Sequence, residues 1–177
     1  MDVTHIPEFG KQKFVHVTID TFSSFLHASL QSGEASKHCI AHCIKCFAVM
    51  GTPKTIKTDS GPGYTGKNFQ LFCTQLSISH KTGIPYNPQG QGIIEWAHQT
   101  LKHQLQKLKK GELYINTPSN SLNHVLFVLN FLQLDICGRS AAQRFWNFDA
   151  QTIRPKVFWK DPLVGKWYGP DPVIIWG

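Results

Sequence analysis

Acidic residues are scarce in this chain: eleven Asp and Glu stand against 18 Lys and Arg over 177 residues, with nine His besides. The resulting net charge of +7 favours polyanionic partners, nucleic acid before acidic membrane surfaces, although the same charge also serves plain solubility. Long apolar runs are lacking too. No stretch approaches the roughly 18 residues of a membrane span. The best candidate, residues 125–134, is too short and contains Asn130 and Gln133. The N-terminus carries Asp2 and no apolar signal core. There is no internal repeat and no low-complexity tract. Cysteine is present in an odd number, five, and three of these (Cys39, Cys43, Cys46) crowd one segment with helical spacing. That pattern predicts reduced thiols in an intracellular compartment rather than a disulfide framework.

What is present suits one α/β domain with a real core plus a fragment of something else. Asp2 to Ile6 alternates and precedes the turn-like Pro7-Glu8-Phe9-Gly10. Residues 14–20 are strictly patterned, with Val15, Val17 and Ile19 on one face, so the two segments make a hairpin. Residues 25–30 form a third strand of an antiparallel start. The period then changes to helical over Ala35 to Met50, stopped by Gly51 and Pro53. Thr55 to Thr58 follows as a short strand after a crossover, which places Asp59 at the carboxyl end of a parallel-type strand. Ser60 to Gly66 is too rich in Gly and Pro to be regular. Lys67 to Leu76 is a short helix and Ile78 to Thr82 an edge-like strand. Gly83 to Gly92 is a loop, and Ile93 to Lys110 the clearest helix, with Ile94, Ala97, Leu101, Leu105 and Leu108 on its core face. Trp96 projects almost opposite that face, beside His103 and Lys107. Thr117-Pro118 starts a further helix to about Leu134. Phe127 and Phe131 lie off its apolar stripe, so it buries two faces, one against another subunit. Ser140 to Trp146 is a last short helix. From Asp149 short strand patterns alternate with Pro turns, the opening of a small β-barrel-like module.

Three carboxylates organise this scheme. Asp2 lies on the first strand, Asp59 at a strand end, and Glu95 one turn into the long helix. Thirty-five residues separate Asp59 from Glu95. Hard carboxylate oxygens on one side of a sheet suit Mg²⁺, which keeps waters and takes few protein ligands plus substrate phosphate. Two such ions stabilise the attacking and leaving oxygens of an in-line displacement. Without metal the three would repel one another. Other readings compete for single features. His38, Cys39, His42, Cys43 and Cys46 have the composition of a zinc cluster, although cysteines on an amphipathic helix also serve as small core residues. Asp59-Ser60-Gly61 also resembles the Asp-Ser/Thr-Gly of aspartic proteases, which need a β-rich dimer and no helix-borne Glu. Lys102, Lys107, Lys109 and Lys110 fit either a DNA contact or a solvated helix face.

Asp2-Val3-Thr4-His5, Lys57-Thr58-Asp59-Ser60-Gly61-Pro62, and the run from Pro85-Tyr86-Asn87-Pro88-Gln89-Gly90-Gln91 to Gly92-Ile93-Ile94-Glu95 closely resemble the catalytic core of retroviral integrases, betaretrovirus-like and endogenous-retroviral members above all. The D,D-35-E spacing is that family's mark. The resemblance implies a ribonuclease-H-like fold: a five-stranded mixed sheet flanked by helices over residues 1–148. Residues 149–177 would be a linker and an incomplete SH3-like DNA-binding domain. It implies two Mg²⁺ ions, with Mn²⁺ as a substitute, held by Asp2, Asp59 and Glu95. It implies trimming of viral DNA 3′ ends by water, then attack of the 3′ hydroxyl on target DNA. Tyr86, Asn87 and Gln91 match loop positions near the viral DNA end, and Lys102 a basic residue that contacts it. Partners would be viral and target DNA and further copies of the chain, through the helices at 35–50 and 118–134, with no membrane. The site of action would be intracellular, in the nucleus or the pre-integration complex. Ser60 stands where the family usually has Asn, and Trp96 where it usually has a basic residue. The family's N-terminal His-His-Cys-Cys segment is not among these 177 residues, so the alternative expectation is an inactive remnant that binds DNA or dimerises.

Overall fold

A computed structural model of the chain describes residues 1–83, 88–110, 117–146, 156–162 and 164–172. Strands β1 (Asp2–His5), β2 (Phe14–Ile19) and β3 (Leu26–Gln31) form an antiparallel meander with β2 in the centre. Asp2 pairs with Val17 and His5 with Phe14; Phe14 pairs with Gln31 and Ile19 with Leu26. Pro7 to Gln12 between the first two strands is a 3₁₀ segment rather than a bare turn. Helix α1 (Ser36–Met50) ends at Gly51, as its sequence predicts. Strand β4 (Thr55–Thr58) and β5 (Ser79–Thr82) pair in parallel, Thr55 with Ser79 and Thr58 with Thr82. The crossover between them holds α2 (Pro62–Thr65) and α3 (Lys67–Gln75).

The five strands are hydrogen-bonded as three plus two, not as one continuous ladder. β1 pairs with β2 along one edge, and a bond from the Met1 amino group to the Lys57 carbonyl at 2.7 Å ties its start to β4. The α2 turn is a second departure from expectation. Pro62 at its first position and Gly63 behind it give one helical turn where the Gly/Pro content predicts irregular chain. Gly63 is required there by contact: a Cβ would stand 2.1 Å from the Glu34 carbonyl oxygen and 2.9 Å from Cys39 Sγ.

Long helix α4 (Pro88–Lys110) begins five residues earlier than the sequence pattern predicts. Pro88 suits a first helical turn, and the following Gln and Gly residues continue it. Glu95 therefore stands about two turns into the helix, not one. Helix α5 (Pro118–Phe127) is capped by the Thr117 hydroxyl, which accepts from the Asn120 amide at 3.1 Å. It runs on as a π-helical turn, Val128–Leu132, and α6 (Ala141–Trp146) follows. Phe127 and Phe131 stack on each other at 5.7 Å and remain about half exposed.

Both faces of the meander are covered. Val15, Val17, Leu26 and Ala28 pack against Ala97, Leu101 and Leu105 of α4 and Leu122, Val125 and Leu129 of the α5 region. Beneath α1 a second core joins Cys39, Cys43, Ile56, Tyr64, Phe69, Cys73 and Ile78. Strands β6 (Lys156–Lys160) and β7 (Trp167–Pro172) pair with each other, and none of their described side chains enters either core. The strand expected at residues 173–176 lies outside the described residues.

Candidate active site

Each of the three carboxylates rides on a different element. Asp2 sits on β1, Asp59 directly after β4 and Glu95 on α4. All three line one cavity of about 500 Å³, walled further by Met1, Lys57, Thr58 and Gly83. Asp59 and Glu95 are exposed to it, and Asp2 is partly buried. The Asp59 carboxylate folds over Gly61: a Cβ there would lie 3.2 and 3.3 Å from its two oxygens. Glycine thus leaves that carboxylate its room.

Asp2 is the most constrained of the three. Its Oδ1 accepts from the Val3 amide at 2.7 Å, and its Oδ2 lies 3.8 Å from Nδ1 of His98. Burial pushes the Asp2 carboxyl above its ordinary range; the Val3 amide and His98 oppose this, and the negative charge of Asp59 adds to it. Burial likewise holds His98 below the ordinary imidazole range, against the pull of Asp2 and Glu95. Its Nε2 is buried with no hydrogen-bond partner among the described residues. Sequence reading passed over His98. The signal available was its place three residues after Glu95, on a neighbouring part of the same helix surface.

Lys102 is exposed on α4 and does not line the cavity. Gln91 lies in the first turns of α4, and Tyr86 and Asn87 lie outside the described residues. Among the described residues no group of three His, Cys, Asp or Glu side chains stands close enough together to hold a metal ion, so Asp2, Asp59 and Glu95 share one cavity without forming a ready-made ligand cluster. The zinc reading of the α1 residues finds no support. His42 is engaged by Thr18 Oγ1 and Ser29 Oγ, each at 2.8 Å. Cys39, Cys43 and Cys46 are buried, and burial pushes their thiols up, those of Cys39 and Cys46 to about 11, away from the thiolate form a metal needs.

The family profile described as integrase core domain matches residues 1–88, and that of the integrase DNA binding domain matches residues 157–177. The Gag-Pro-Pol polyprotein of sheep pulmonary adenomatosis virus is 64% identical over 177 residues, covering 99% of this chain and 10% of the polyprotein. The chain thus spans about a tenth of the length of that relative. Among solved structures, a simian T-cell lymphotropic virus intasome aligns with TM-score 0.74 and 33% identity over 82% of this chain and 52% of that one. The HTLV-2 integrase catalytic core domain in complex with magnesium, in its trimeric form, aligns with TM-score 0.69 and 32% identity over 81% of this chain and 92% of that one. The ribonuclease-H-like architecture, the motifs and these matches agree: the chain belongs to the retroviral integrase family.

Proposed function

We propose that this chain is the catalytic core of a retroviral-type integrase, residues 1–148, carrying the start of a DNA-binding module at 149–177. Its reaction is the cutting and rejoining of DNA phosphodiesters. Water trims the viral 3′ ends, and the new 3′ hydroxyl then attacks a phosphate of target DNA and displaces that strand's own 3′ oxygen, in the nucleus or the pre-integration complex. The observation that carries this reading is the convergence of Asp2, Asp59 and Glu95 on one cavity from three elements distant in sequence.

The donor set fits Mg²⁺ or Mn²⁺: oxygen only, open, and needing a substrate phosphate and waters to complete it. Two such ions, when bound, stabilise the attacking and leaving oxygens of an in-line displacement. Asp2, Asp59 and Glu95 would hold the cations, which would relieve the repulsion among the three carboxylates. Asp2 is oriented by the Val3 amide and by His98. Lys102, on the polar side of α4, is proposed to take the viral DNA backbone, and Tyr86, Asn87 and Gln91 its end. Self-association is proposed through α1 and α5. Ile44 and Val49 on α1, and Phe127 and Phe131 at the end of α5, leave apolar area exposed, and solved relatives are described in dimeric and trimeric forms.

Disintegration of a branched DNA substrate tests the core without its neighbours. The wild-type chain is expected to be active with Mn²⁺ or Mg²⁺. Asp59→Asn and Glu95→Gln are each expected to lose roughly 10³-fold or more with an unchanged circular dichroism spectrum, in line with several kcal/mol of transition-state stabilisation. Retained activity in either variant removes the proposed site. A wild-type chain that neither cleaves nor binds Mn²⁺ by calorimetry leaves a fold-only, DNA-binding remnant.

A further inference from the structure

Trp96 follows Glu95 directly, yet it belongs neither to the core of α4 nor to the carboxylate cavity. It is 46% exposed. With Ile19, Thr21, Ser24, Gly92 and Ile93 it walls a second recess, shallow and largely open to solvent. Ile19, Thr21 and Ile93 line both hollows, so this recess opens beside the carboxylates. Its far wall is a firmly built turn. The Ser24 amide donates to the Asp20 carbonyl at 2.9 Å, and the Ser23 amide and hydroxyl both donate to Asp20 Oδ2, at 2.7 and 2.6 Å. That wall is set before any ligand arrives, which lowers the cost of binding one against it.

Along α4, His103 and Lys107 stand seven and eleven residues after Trp96, within about 20° of it around the helix. Both are exposed. An indole face leading into a column of imidazole and ammonium groups matches a single nucleic-acid strand: a base stacks on the ring and the phosphates follow the basic side chains. A protein partner would want apolar surface to continue along the helix, and here it gives way to polar side chains within a turn.

We infer that Trp96, with Ile93, is a stacking platform for an unpaired base of a DNA strand whose phosphates run along α4 from the carboxylate cavity toward Lys107. This rests on the strand-transfer reading for its setting, and its test is independent of catalysis. Fluorescence anisotropy with the full chain compares a labelled oligothymidine with an abasic phosphodiester of equal length. The wild-type chain should prefer the thymidine strand. Trp96→Ala should weaken that strand roughly tenfold, about 1.4 kcal/mol, while binding the abasic chain as the wild type does. Trp96→Phe should keep most of the preference, which separates stacking from any loss of fold. Equal weakening of both strands by Trp96→Ala, or no weakening of either, overturns the platform. Glu95→Gln should keep the wild-type preference. The catalytic reading can then fail in the disintegration assay while the platform stands, and the reverse.

Discussion

Asn130 shows how a single polar side chain can complete a sheet. It is 4% exposed, at a position where a helix interior normally carries an apolar residue. Its Oδ1 accepts from the Leu26 amide at 2.9 Å and its Nδ2 donates to the Leu26 carbonyl at 2.7 Å. The side chain thus acts as a one-residue strand on the open edge of β3, and it satisfies both buried backbone groups of Leu26. Asn130→Ala leaves that donor and acceptor without partners, so urea unfolding should show a loss of about 2–4 kcal/mol. A loss below about 0.5 kcal/mol would mean that water replaces the amide. In the sequence Asn130 is only a polar interruption of an apolar run. Its partner lies 104 residues away, and no local pattern points to it. Asp2 is the opposite case. The motif selects it, but the groups that hold it, the Val3 amide and His98, are visible only in the fold.

At the scale of elements, α1 and the meander meet through histidines rather than through aliphatic side chains. The ring of His42 lies 5.6 Å from that of His16 and 5.5 Å from that of His27. His16 Nε2 donates to the Gly33 carbonyl at 2.9 Å, while His16 Nδ1 and His27 Nε2 are buried without hydrogen-bond partners. Burial holds all three below the ordinary value of 6.5, His42 furthest; His42 also feels His27, His16, the chain's amino group and Lys45. Around His16 the nearby charges are His38, Glu34 and Asp2. A base whose folded pKa is depressed takes up its proton more readily when the chain unfolds. Stability from this cluster is therefore complete above about pH 6.5 and is lost as pH falls below that value. Each histidine contributes a slope of up to about 1.4 kcal/mol per pH unit. Thermal melting at pH 7.5 and 5.5 should show a lower midpoint at 5.5, and His42→Gln should flatten the dependence. Equal slopes in the two proteins would show that the titrating groups lie elsewhere. The π-helical turn after α5 is a second such device. Its wider turn, closed by the Gln133 amide on the Val128 carbonyl at 2.9 Å, contains Asn130.

At the scale of the whole molecule, the proposed assembly through α1 and α5 draws on the core alone, and the C-terminal hairpin is expected to add little to stability. Trp159 and Tyr168 stack on each other at 5.0 Å, but both are exposed, and a lone two-stranded hairpin contributes marginal stability. A chain ending at residue 148 should melt within about 2 °C of the full chain and sediment as the same oligomer, a dimer at least, through α1 and α5. A drop of 5 °C or more, or dissociation on truncation, would place the tail in the folded unit.

The sequence alone determined much of this plan. The periods of two and 3.6 reveal the hairpin, α1, α3 and α4, because each element buries one face locally. The Asp59–Glu95 interval and the motif around it point to the family, because the spacing of two proposed ligands on a rigid scaffold is legible as a spacing in the chain. Tertiary structure decided the rest. The three-plus-two pairing, the early start of α4, the contact of His98 with Asp2, and the recess beneath Trp96 all depend on which surfaces meet across long separations. Periodicity reports that a residue faces inward or outward, but not what it meets there.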